Sequence, residues 1–194
     1  MGSEARKSRG LVIAVSGQAG SGKTTHAKLI AETFSLRYVS TGMIFRSIAK
    51  ERGISLIELH KLAESDDSID RYVDEKAKEE ALKGNVVVEG HLTAWMLKDV
   101  ADIKIYLKAD LHERARRIAE RDGKSYEEAL KEVMFREESN RRRYLKIYGI
   151  DIRDLSIFDL VIDTTKLPKE AVAKVIRTFI QEYINYIKSQ ESKD

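Results

Sequence analysis

The run Gly17-Gln-Ala-Gly-Ser-Gly-Lys-Thr24 satisfies G-x-x-x-x-G-K-[ST] at every fixed position. Glycines at this spacing let the backbone curl until several N–H groups point at one anion. A helix starting at the same spot adds its partial positive charge. Lys23 can then reach the β- and γ-phosphates of a nucleoside triphosphate, and the Thr24 hydroxyl can ligate Mg²⁺. The phosphate-binding set read here is Gly17, Gln18, Ala19, Gly20, Ser21, Gly22, Lys23, Thr24 and Thr25. A glycine-rich turn with a chance lysine would not need the context this one has, an apolar run before it and a helical pattern after it.

The loop specifies nucleotide binding, not reaction type. A guanine-nucleotide switch would carry N-K-x-D and D-x-x-G, and neither occurs in the chain. A motor or helicase would be larger. Transfer of a phosphoryl group to a small acceptor remains, and it needs in-line positioning and cations to spread the transition-state charge. Arg114, Arg117 and Arg121 follow i, i+3, i+7 and share one helix face. Arg136 and Arg143 are also seven apart, about 10 Å along a helix. These arginines are either a clamp over phosphate or a solvated basic face; Arg116 and Arg142 read as the latter. Glu89, at the end of an apolar run, is placed to order a metal-bound water or Lys23. Asp151 and Asp159 read as helix caps rather than arginine partners. Trp95 and Met96 suit a base-binding wall or the core. His26, His60 and His112 lack ligand-like spacing, so no zinc site is expected. No Ser-His-Asp constellation is evident.

Positioning these groups requires an α/β layered fold. Leu11–Ser16 is a nearly continuous apolar run, as for a strand buried on both faces. Val86–Glu89, Ile103–Leu107 and Leu160–Ile162 resemble it, and Arg37–Ser40 is a weaker fifth strand. Helices are expected over Lys23–Phe34 and Gly42–Arg52. Ser55-Leu-Ile-Glu58 and Ser125-Tyr-Glu-Glu128 are capping boxes that start two more. Asp110 caps a helix to Arg121 that stops at Asp122-Gly123, and Pro168 opens a last helix to about Lys188. The helical stretches 41–83 and 125–150 interrupt the strand alternation as two insertions on one sheet.

The 194 residues suit one core. Residues 1–10 read as a disordered leader and 11–190 as a single domain. No stretch approaches the roughly 20 apolar residues of a membrane span. Cysteine is absent, which excludes disulfides and fits a reducing cytoplasm. A net charge of +3 does not indicate a bulk nucleic-acid binder, so no stable nucleic-acid partner is expected.

Beyond the loop, the chain resembles the nucleoside monophosphate kinases, most closely the archaeal type of cytidylate kinase. The resemblance runs from Leu11 to about Ile187. It rests on Gly17–Thr25, Ser40-Thr-Gly-Met-Ile-Phe-Arg46, Glu89-Gly-His-Leu-Thr-Ala-Trp-Met96, Arg136-Glu-Glu-Ser139, Arg143-Tyr144, Tyr148-Gly-Ile-Asp-Ile152 and Leu155–Asp163. It implies a P-loop kinase fold with a five-stranded parallel sheet flanked by helices. It also implies an acceptor-binding insertion at about 41–83, a lid at about 123–150, ATP as donor, Mg²⁺ as cofactor, and CMP or dCMP as acceptor. By the same resemblance Thr41, Gly42, Arg46, Glu89, Gly90 and His91 line the acceptor site. Lys23, Arg121, Arg136 and Arg143 act on the transferring group, the last two as lid residues. A cytoplasmic monomer is expected. His91 is a departure, since the family commonly has Arg there, and an imidazole cannot make a guanidinium's bidentate phosphate contact. Thr93-Ala94, where a Gly is usual, stiffens the same loop. The readings left open are an adenylate or uridylate kinase, and a non-enzymatic ATP-bound module that holds RNA with residues 136–143.

Overall fold

The computed structural model describes residues 9–191. Five strands, β1 (Val12–Gly17), β2 (Arg37–Ser40), β3 (Val86–Gly90), β4 (Ile103–Lys108) and β5 (Leu160–Asp163), form one sheet in the order β2-β3-β1-β4-β5, every pair parallel. The strands begin and end within a residue of their sequence-read limits. β1 is central and buried along its whole length. Its residues alternate between two cores. Ile13 and Val15 pack under Ala27, Ile30, Ile176 and Ile180, while Val12 and Ala14 pack with Ala77, Ala81, Val88 and Leu97. Burial on both faces is why β1 reads as a run of apolar residues instead of an alternation.

The helices are α1 (Lys23–Thr33), α2 (Thr41–Glu51), α3 (Leu56–Ala63), α4 (Ser68–Leu82), the single turn α5 (Thr93–Met96), α6 (Leu111–Asp122), α7 (Tyr126–Tyr148) and α8 (Lys169–Glu191). Both capping boxes form. The side chains of Ser55 and Ser125 accept from the Glu58 and Glu128 amides, and each glutamate reaches back to its serine N–H. Asp110 accepts from the amides of His112 and Glu113, and Gly123 ends α6 with φ 64°. α2 starts one residue before its expected position because Ser40 caps it, accepting from the Met43 amide at 3.2 Å.

One expectation about the scaffold is corrected. Asp151 and Asp159 cap no helix: Asp151 holds Arg153, while Asp159 accepts from the Lys104 amide at 2.7 Å and pairs with its ammonium. Trp95 belongs to the core, meeting Tyr106 and Phe158 edge to face. The leader assigned to residues 1–10 falls mostly outside the described residues, but Arg9 is packed. Its guanidinium donates to Val100 O at 2.7 Å and pairs with Asp102.

Ligands of open parallel sheets bind outside the carboxyl ends of the strands, at the point where the strand order reverses. Here that point lies beside β1, whose end runs into the phosphate loop. The register sets Ser16 beside Gly90 and both Val15 and Ser40 beside Glu89. The loop, Glu89-Gly90-His91 and the start of α2 therefore share one edge.

Candidate active site

Gly22 takes a left-handed conformation, φ 94°, at the N-cap of α1, and no side chain caps the helix. The first N–H groups of α1 are thus left to the loop's concave face, where an anion would sit. Gln18 ties the loop to the end of β4, its side-chain oxygen accepting from the Ala109 amide at 3.2 Å. Lys23 Nζ donates to Gln18 O at 2.7 Å. Burial lowers the Lys23 ammonium to about 8, opposed by Glu89 and assisted by Arg136. Ser21 is fully buried beneath the loop.

Glu89 is the hub of the site. The carboxylate is 3% exposed, and its Oε1 accepts from Thr24 Oγ1 at 3.0 Å, Tyr38 OH at 3.1 Å and Ser40 Oγ at 2.5 Å. Three hydroxyls from two elements compensate a charge that burial alone would make costly. Burial, with the carboxylate close by, pushes the Tyr38 phenol up to about 12. A side chain at position 90 would stand 1.9 Å from Thr41 Oγ1, so only glycine lets α2 close on β3 here. Thr24 and Glu89 present hard oxygen donors at the mouth of the loop, a set that suits Mg²⁺. Among the described residues no group of three or more His, Cys, Asp or Glu is arranged to hold a metal.

One cleft of about 990 Å³ joins most of the predicted set. Ala19, Gly20, Gly22, Lys23, Thr24 and Thr25 line one side, Gly42, Arg46, Glu89, Gly90 and His91 the other, with Arg121 and Arg136 across from them. Arg136 is nearly buried on α7. One terminal nitrogen donates to Glu132 at 3.2 Å, its Nε has no partner, and burial lowers its basicity. Arg121 lies at the rim, its fork closed on Asp122 at 2.7 and 2.8 Å. Its predicted companions are tied to the scaffold, and Arg117 also lines the cleft. Arg114 is buried under the loop, donating to Ala109 O and Ala19 O and pairing with Glu137. Arg117 bridges Glu113 and Thr164.

Arg143 departs from the expectation of a mobile lid cation. It is 3% exposed and does not line the cleft. Asp70 holds it through Nε at 2.7 Å and a terminal nitrogen at 3.3 Å, with Ser139 Oγ, Asn140 Oδ1 and His60 Nδ1 completing its partners. A guanidinium so fully engaged is a fixed wall of the smaller cavity beside the cleft, which also receives Thr41, His60, Asp70 and Asp74. His91 borders both cavities. Burial and the neighbouring Lys23 and Arg136 hold its imidazole well below the usual range, so it is neutral at pH 7.

Sequence reading missed Tyr38, Ser40, Asp70, Asp74 and Asn140. Two signals were available. Tyr38 and Ser40 are i, i+2 on β2 and so share a face. Asp70 and Asp74 interleave with Ile69, Val73 and Ala77, the buried stripe of α4, where an acid must have a partner.

The sheet order, the loop at the end of the central strand and the helical insertion across from it define a P-loop kinase fold. Solved structures agree. An uncharacterized protein from Eubacterium ventriosum superposes with a TM-score of 0.63 at 20% identity, covering 88% of this chain and 98% of that one. Shikimate kinase from Acinetobacter baumannii gives 0.58 at 17% identity, over 89% and 93%. The chain belongs to the cytidylate kinase-like family, whose model matches residues 12–166. Among curated relatives, the cytidylate kinase of Staphylothermus marinus is 55% identical over 174 residues, 90% of this chain and 98% of the relative. That of Pyrobaculum aerophilum is 60% identical over 157 residues, 81% and 85%, and that of Pyrococcus horikoshii 52% over 170, 88% of each.

Proposed function

We propose that this protein transfers the γ-phosphoryl group of ATP to CMP, and to dCMP in the same pocket, giving ADP and the nucleoside diphosphate. The observation that carries the reading is the single cleft joining Lys23 and Thr24 to Arg46, His91 and Arg136. Two anionic phosphates brought together need cations from both sides, and the acceptor oxygen, already ionised, needs no general base.

In this reading the loop amides and Lys23 hold the donor phosphates. Arg46 and His91 hold the acceptor phosphate, and Arg136, with Arg121 at the rim, neutralises charge developing between them. Thr24 and Glu89 would hold Mg²⁺, which when bound offsets charge on the β- and γ-phosphates. Residues 41–83 serve as the acceptor-binding insertion and 123–150 as the lid. Arg143–Asp70 ties α7 to α4, so lid and insertion close together and exclude water from the transfer. No helix among the described residues is long and apolar enough to cross a membrane, and a cytoplasmic monomer suits the reading. The RNA-binding alternative is disfavoured because Arg141 and Arg142 are engaged with Glu138 and Glu64.

The test is ADP release with ATP, Mg²⁺ and each common nucleoside monophosphate in turn. CMP is expected to give the highest kcat/KM. ATP binding without turnover of any mononucleotide would overturn the proposal.

A further inference from the structure

The small cavity beside the cleft, about 50 Å³, opens toward it between Gly42, Arg46, Leu56, His91 and Arg136, the residues common to both. Besides Arg136, whose Nε also lacks a partner, its walls carry two further polar groups with unused hydrogen-bonding capacity. Asn140 is 2% exposed, and its Oδ1 accepts from Arg143 at 3.0 Å. Arginine is donor only, so this contact fixes the amide orientation and leaves Nδ2 as a buried donor. That Nδ2 has no partner. Asp74 is 9% exposed; its Oδ2 accepts from Tyr148 OH at 2.7 Å, and among the described residues no hydrogen bond reaches Oδ1. Asn140 and Asp74 therefore offer one donor and one acceptor. Leaving a buried donor unpaired is costly, so a ligand that supplies its acceptor is favoured.

Resting on the function proposed above, we infer that Asp74, oriented by Tyr148, accepts from the exocyclic amino group of cytosine while Asn140 donates to the ring's acceptor edge, and that this pair selects CMP over UMP. Cytosine presents an amino donor beside acceptors. Uracil presents a carbonyl where cytosine has its amino group, so Asp74 would face an acceptor and reject it. Adenine carries an amino-and-acceptor pair like cytosine's on a larger ring system, so the choice this pair sets is CMP over UMP. Phe45 and Tyr144 supply the apolar walls a base requires.

The carboxyl has a second state. Burial pushes Asp74 up to about 7, with Asp70 adding to the effect and the Tyr148 hydroxyl and Arg143 opposing it. Protonated, it becomes a donor and matches the uracil carbonyl. Of the other groups facing it between pH 6 and 8, Asp70 is paired with Arg143, and Arg46 and Arg136 contribute guanidinium groups. His60 and His91 are neutral throughout, and burial pushes the Tyr144 phenol up.

The experiment measures KM and kcat for CMP and UMP, with saturating ATP and Mg²⁺, for the full chain and for Asp74→Asn, which keeps an acceptor for Tyr148 but turns a donor toward the base. Asp74→Asn is expected to raise the CMP KM by about tenfold or more, lower the UMP KM, and leave the ATP KM unchanged. CMP and UMP KM values that stay put or move by the same factor would overturn the assignment. In the unsubstituted protein, which avoids any folding defect, the CMP-to-UMP ratio of kcat/KM is expected to rise from pH 6 to pH 8; a flat ratio would overturn it too. CMP turnover with either negative result sinks this inference alone, whereas no turnover of any mononucleotide sinks the proposed function with it.

Discussion

Thr24 Oγ1 donates to Glu89 Oε1 at 3.0 Å, joining the phosphate loop to the end of the neighbouring strand through one buried carboxylate oxygen. The same oxygen takes the hydroxyls of Tyr38 and Ser40, and Ser40 also caps α2, the helix that carries Arg46. The phosphate-loop side and the α2 side of the cleft thus share one hub. Removing its charge while keeping its shape is expected to affect both. Glu89→Gln should lower kcat by about 10²-fold and shift the Mg²⁺ dependence to higher concentration. A Mg²⁺ titration of the rate checks this, and an unchanged midpoint would separate Glu89 from the metal.

Lys23 sits at about 8 in the protein as described, because burial disfavours its charge. The sign is set by burial: the ammonium is present below that pH and lost as the pH rises through it. Polyphosphate beside it favours the charged form, so ATP binding near pH 8 should take up about half a proton. Calorimetry in two buffers of different ionisation enthalpy measures the uptake. It should vanish in Lys23→Ala, and zero uptake in the unsubstituted protein would contradict the placement of Lys23 on the phosphates.

The contact between Arg143 and His60 is expected to weaken in acid. His60 Nδ1 lies 3.1 Å from a guanidinium nitrogen, which can only donate, so the imidazole must be the acceptor and neutral. Burial and Arg136 lower it to about 3 from the ordinary 6.5. Its stabilising contribution is therefore present above pH 6.5 and lost as the pH falls toward the folded-state value. Between pH 7 and 5 the Tm should fall, and His60→Gln should flatten that fall. Arg143→Ala, which strands Asp70, should cost about 3–5 kcal/mol and raise the CMP KM more than it lowers kcat. A kcat effect alone would restore Arg143 to the transition state.

The sequence makes the scaffold legible where the signal is local. The loop, both capping boxes, the Asp110 cap and the Gly123 stop are each set by residues within a few positions, and all form. The central strand reads correctly because it is buried on both faces. What sequence reading misses is set by distant residues. Asp70 meets Arg143 across 73 positions and Asp74 meets Tyr148 across 74, so no local pattern links them. Arg136 and Arg143 share a helical spacing, yet one lines the cleft and the other is locked in a buried network, because only Arg143 finds an aspartate opposite. Spacing sets a face of the helix; the partner sets the role.

His91 stands where the family commonly has arginine, and it is neutral at pH 7. His91→Arg should lower the CMP KM by about three- to tenfold, since a guanidinium adds a bidentate, charge-assisted contact to phosphate. It should also lower Tm, because Lys23 and Arg136 already crowd the position with positive charge. Steady-state kinetics and a thermal melt on one preparation test both effects, and an unchanged KM would remove position 91 from the acceptor phosphate.

In the proposed reaction one phosphoryl group passes directly between two nucleotides held in one cleft. ³¹P NMR of the protein with ATP, Mg²⁺ and CMP observes each phosphorus species as it forms. CDP and ADP should appear in equal amounts, with no inorganic phosphate ahead of them. ATP loss that yields inorganic phosphate and no CDP would contradict it.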